Sequence, residues 1–87
     1  MSPFSFRTDV QSEKFCALVA DSMISLFGIS PDEAVGRINR AWATLELLGD
    51  DQIIYHENED FWANDIYYGM DSYWWTQPQN LKPLPYP

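Results

Sequence analysis

The apolar positions of this chain change their spacing twice, and each change marks a new element. Over residues 9 to 27, Phe15, Leu18, Val19, Ser22 and Leu26 recur at i, i+3, i+4, i+7 and i+11, the spacing of one helical face, and Gly28 supplies a left-handed stop. Lys14, Asp21 and Ser25 share one narrow polar face, while Cys16, Ala20, Met23, Ile24 and Phe27 take most of the remainder. A helix this apolar around its circumference is expected to be covered on more than one side and to be the central one.

A second helix starts at the clearest local signal in the chain. Ser30, Pro31, Asp32 and Glu33 place a hydroxyl at the N-cap, proline at the first helical position and a capping-box glutamate at the third. Ala34, Ile38, Ala41, Trp42, Leu45 and Leu48 then form an apolar stripe that runs to Gly49, and Glu33 and Arg37 are spaced to pair at i, i+4. Gly36 costs roughly 1 kcal/mol relative to alanine inside a helix, so it is either tolerated or allows close contact with the first helix, which is the favoured reading.

After Gly49 the pattern shifts to Gln52, Ile53, Ile54 and Tyr55, β-branched and aromatic residues behind an Asp50-Asp51 turn signal, which predict one short extended segment. With no second strand to pair with, it reads as a lone crossover. Asn58 can cap a third helix with Glu59 and Asp60 in its first turn, and Gly69 closes it after Tyr68. Phe61, Trp62 and Ile66 are expected to face the core, with Asn64 and Asp65 turned outward and Tyr67 and Tyr68 at the margin. From Thr76 onward four prolines in twelve residues exclude regular helix and favour an extended tail, which either wraps the domain or waits for a partner. The fold class is therefore mainly α: a three-helix single domain over residues 1-75 with one short extended segment, and a proline-rich tail over 76-87.

Size makes the core demanding. Eighty-seven residues are near the lower limit for folding without disulfides or a metal, and 46% hydrophobic content with 16% aromatic residues is that of a folded protein. Charge narrows the partners. Residues 1 to 49 carry six acids and four bases, residues 50 to 72 carry seven acids and no base, and Lys82 follows, so nearly all of the net charge of −8 sits in one stretch. Such a field repels phosphate backbones and anionic membranes, which argues against nucleic acid and membrane surfaces and for a basic protein partner. The single cysteine, Cys16, excludes an intrachain disulfide and agrees with a reducing, cytoplasmic setting. No apolar stretch is long enough to span a bilayer, and the N-terminus lacks the pattern of a secretory signal.

Candidate chemistry is sparse. His56, Glu57, Glu59 and Asp60 form the only local group of potential metal ligands, but His56 is the only histidine and Asp60 stands where a zinc protease motif needs a second one. The three carboxylates also lack the spacing and central glycine of a calcium loop, so they read as a solvated helix start and no cofactor or metal is expected. Cys16 in an apolar helix reads as structural and not as a nucleophile paired with His56. The strongest feature is the interleaving, over residues 50 to 75, of those seven acids with eight of the fourteen aromatic rings. The rings have three readings: core, protein-binding hot spot and stacking platform for a flat or sugar-like ligand. Trp42, Phe61 and Trp62 are the expected core members, and some of Tyr67, Tyr68, Tyr73, Trp74 and Trp75 should remain partly exposed.

The segment His56-Glu57-Asn58-Glu59-Asp60-Phe61-Trp62-Ala63, continuing to Ile66-Tyr67-Tyr68-Gly69, resembles a motif of small uncharacterised bacterial proteins. The Ile29-Ser30-Pro31-Asp32-Glu33-Ala34 helix start followed by Trp42 is similar to the same group. The resemblance covers about half of the chain, implies a bacterial origin, and carries over no activity and no residue role.

These readings converge on a non-enzymatic, acidic, protein-binding domain whose surface comprises Glu57, Glu59, Asp60, Asp65, Tyr68, Asp71, Tyr73, Trp74 and Trp75. A small acidic binder of this type suits an immunity or antitoxin role against a basic, nuclease-like partner. Two alternatives stand beside it. One is a small-ligand-binding or metal-assisted enzyme that uses Glu57, Glu59 and Asp60 with Trp62 or Tyr68 lining a pocket. The other is a homo-oligomer in which the surplus rings pack against a second copy.

Overall fold

In the computed structural model the described residues are 3–43, 46–47, 55, 57–69, 74–76 and 81–86. In chain order they form β1 (Arg7–Thr8), α1 (Val10–Phe27), α2 (Pro31–Ala41), β2 (Glu46–Leu47) and α3 (Glu59–Tyr68). The molecule is mainly α. The helix α1 packs against both α2 and α3, so it is the central element.

Each helix begins where local chemistry dictates. At α1 a reciprocal box forms: the Asp9 carboxylate accepts from the Ser12 amide at 2.8 Å, and the Ser12 hydroxyl accepts from the Asp9 amide at 2.9 Å. At α2 the Ser30 hydroxyl accepts from the Glu33 amide at 3.1 Å, but the Glu33 side chain turns along the helix to Arg37 at 2.8 Å. The anticipated box is therefore half built, and the anticipated i, i+4 pair forms. At α3 the Asn58 side chain accepts from the Phe61 amide at 2.9 Å. Gly28, at φ 67, ends α1 in the left-handed conformation that glycine adopts without steric cost.

The structure corrects two expectations. The buried face of α1 consists of Ser12, Cys16, Val19, Ala20 and Met23, whereas Leu18 and Leu26 are each 50% exposed. The covered side of α1 is thus the one that carries Cys16, Val19 and Met23, and the two leucines lie beside it. The second helix stops at Ala41, with Trp42 as its cap, well short of Gly49. The chain then enters β2, which pairs in parallel with β1 through Arg7↔Glu46 and Thr8↔Leu47. The extended segment anticipated at 52–55 falls outside the described residues except for Tyr55, and the pairing of β1 with β2 is additional to it. Residues 3–6 add to the core. Phe4 and Phe6 are core members, held by Asn39, whose side chain accepts from the Ser5 amide at 2.8 Å and donates to the Pro3 carbonyl at 3.2 Å.

Residues 81–86 of the tail lie against the domain. The Leu84 amide donates to the Tyr67 carbonyl at 2.9 Å, and Arg37 Nη1 donates to the Leu84 carbonyl at 2.8 Å. Gly36 is close-packed as anticipated, but against the tail: a Cβ there would overlap the Tyr86 hydroxyl.

Candidate protein-binding surface

The rings of this molecule form a continuous path from the core to the surface. Phe4 and Phe6 meet at 5.7 Å between centroids, Phe6 and Trp42 at 6.0 Å, and Trp42 and Trp62 at 5.9 Å, the last two pairs edge to face. Phe61 continues from Trp62 at 4.9 Å, Trp74 from Phe61 at 5.3 Å, and Trp75 from Trp74 at 5.5 Å. Phe4, Phe6 and Trp42 are buried, Trp62, Phe61 and Trp74 are half-buried, and Trp75 is 55% exposed. The path turns outward through α3 because Trp62 and Phe61 are adjacent on it: Trp62 faces Trp42, and Phe61 faces the turn over residues 74–76.

Asp65 lies one helical turn beyond Phe61, on the same side of α3. It is half-buried and not turned outward as expected, because Trp74 sits beside it. Burial pushes its carboxyl up from the ordinary carboxylate range. The Trp74 indole N–H opposes that shift by attracting the charged form, but it lacks the alignment of a full hydrogen bond. Desolvation wins, so the Asp65 carboxylate is a strained neighbour of the aromatic path more than a free contact.

The other anticipated site residues divide between the two ends of α3. At its start Glu57 and Asp60 are exposed and Glu59 is half-buried. Their position suits the positive end of the helix dipole, and among the described residues none of the three forms an ion pair. Tyr68, at the far end, packs edge to face on Phe27 at 5.5 Å and on Tyr67 at 5.0 Å, away from the acidic start. Asp71 and Tyr73 lie outside the described residues. The structure thus links Phe61, Asp65, Trp74 and Trp75 on one side of α3 and leaves Tyr68 in a separate cluster.

Trp62 is turned toward Trp42 and Tyr68 toward Phe27, so neither ring joins Glu57, Glu59 and Asp60. Among the described residues no cluster of three histidine, cysteine or acidic side chains could hold a metal ion. Cys16 is fully buried, and its thiol is pushed up to about 12 by burial first and the nearby Glu13 charge second, which keeps it protonated and unreactive.

Sequence reasoning missed one residue of consequence. Arg37 was read only as the partner of Glu33, yet it is 5% exposed and stands at the junction of α2, α3 and the tail. Its guanidinium lies 4.7 Å from the Tyr67 ring centroid and 5.3 Å from that of Tyr86. Phe27 stacks on Tyr67 at 3.8 Å with planes 8° apart, so the guanidinium must take the opposite face of that ring. The signal was available, because Arg37 falls among Ala34, Ile38 and Trp42 on the apolar side of α2, where a charge has to be paired.

No protein-family model matches the chain, and no curated protein or solved structure matches it.

Proposed function

We propose that this chain is a non-enzymatic protein-binding domain that recognises a basic protein partner through the acidic and aromatic surface at the start of α3 and the turn over residues 74–76. One observation carries the reading: the ring path leaves α3 at Phe61, in its first turn, and ends on an exposed Trp75, while the carboxylates of that turn have no described counter-charge. Exposed tryptophan is among the most frequent anchors of protein interfaces, and a surrounding field of one sign selects partners of the other and speeds encounter. An immunity or antitoxin role, in which the carboxylates cover a cationic active site, is the specific form of this proposal.

The test is capture by the purified chain from source cells at low and at high salt, compared with a Glu57→Gln/Asp60→Asn/Trp75→Ala variant. These side chains are exposed or rim positions, so the variant should keep its far-UV helical signal. A basic protein retained at low salt, released at high salt and lost by the folded variant is the expected outcome. A partner bound equally by both chains would place the interface elsewhere.

A further inference from the structure

We propose that the groove between α2 and the end of α3 is a binding site for an extended, proline-bracketed leucine–aromatic segment of another polypeptide, and that residues 81–86 are its resident and exchangeable occupant. The groove is built around the backbone of one residue and the ring of another. The Tyr67 carbonyl takes the Leu84 amide at 2.9 Å, and Arg37 Nη1 gives to the Leu84 carbonyl at 2.8 Å, so both polar groups of that peptide unit are read. Two residues on, Tyr86 lies over α2 at Gly36, where any Cβ would overlap its hydroxyl. The guanidinium carbons of Arg37 and Arg40 stand 5.3 and 5.5 Å from its ring centroid. The Leu84 side chain rests against Gly69. This is the pattern by which grooves take polyproline-like ligands: prolines hold the segment extended in advance, main-chain bonds give affinity, and a ring slot gives selectivity.

Three observations make the occupant exchangeable. Among the described residues 81–86 none belongs to the hydrophobic core or to the side chains packed against it. Leu84 and Tyr86 remain 39% and 38% exposed when seated, so neither is locked into the interior and both can be reached from solvent. Arg37, in contrast, is nearly fully buried, and without an occupant its Nη1 would lose the Leu84 carbonyl. A segment that offers a carbonyl at the same place restores this charge-assisted bond, so the groove favours a segment like the tail over an unrelated one.

The experiment uses the full chain carrying Leu84→Pro and Tyr86→Ala, which removes the donated amide and the ring while leaving every groove residue in place. The probe is a fluorescein-labelled peptide with the sequence of residues 81–87, followed by anisotropy. Saturable binding to this variant is expected, with at least tenfold weaker binding to the unmodified chain, whose tethered tail competes at a millimolar effective concentration. The same peptide with alanine in place of its tyrosine should bind at least tenfold more weakly. Absence of saturable binding to the folded variant, or equal binding by both chains, would overturn the proposal. So would loss of the far-UV helical signal in the variant, because the tail would then be a fixed strut and not a replaceable ligand.

Discussion

Arg37 shows how one side chain can decide the order of three separate segments. It is buried, pairs with Glu33 at 2.8 Å, donates to Leu84 and faces two tyrosine rings, so truncation removes a charge-assisted pair and leaves the Glu33 carboxylate and the Leu84 carbonyl to find other partners. Arg37→Met should lower unfolding free energy by about 2 to 3 kcal/mol, read from urea denaturation with an unchanged slope. Asp65 makes the opposite case. Its carboxyl is raised in the folded chain, so its contribution is present below the unfolded value of 3.8 and is lost as pH rises through the higher folded one. Asp65→Asn should therefore raise the melting temperature at pH 7 and change it little at pH 3. Cys16, held protonated deep in α1, should resist iodoacetamide at pH 8 until denaturant opens the core.

At the scale of elements, what was legible in the sequence was local chemistry. Ser30 and Asn58 cap the helices they were read to cap, and Gly28 and Gly69 follow their last turns, because a cap depends on groups three or four residues apart. The face and length of a helix depend on what it meets. Leu18 and Leu26 satisfy the spacing of a buried stripe but lie outside the side on which α1 touches its neighbours. Leu45 and Leu48 lie outside the described residues; the helix itself ends at Ala41, and the chain is paired with β1 at Glu46 and Leu47. Phe4 and Phe6 carried their own signal, since an alternating Phe-Ser-Phe is the period of a strand with one buried face, and it leads into β1. The acidic part of the candidate surface was legible for the same local reason as the caps, whereas the outward ring path needed the meeting of α3 with residues 74–76. The Asp9–Ser12 box belongs to the local class: Asp9→Ala should cost about 1 kcal/mol and shorten α1 from its first turn, measurable as lost helical ellipticity and a lower urea midpoint.

For the whole molecule, the net charge of −8 sets a repulsion that no packing detail removes. The melting temperature should rise as sodium chloride goes from about 10 to about 150 mM, because the screening length falls from roughly 30 to roughly 8 Å. A melting temperature independent of salt would mean that the acids are already compensated within the fold. The parallel pairing of β1 with β2 has a consequence in time. Two strands of two residues each, with α1 and α2 between them in the chain, gain too little from their own bonds to offset closing so long a loop, so they can meet only after both helices have docked. The seating of Phe4 and Phe6 is then a late event, and weakening it should hasten the escape from the native state while leaving the rate of its formation nearly untouched.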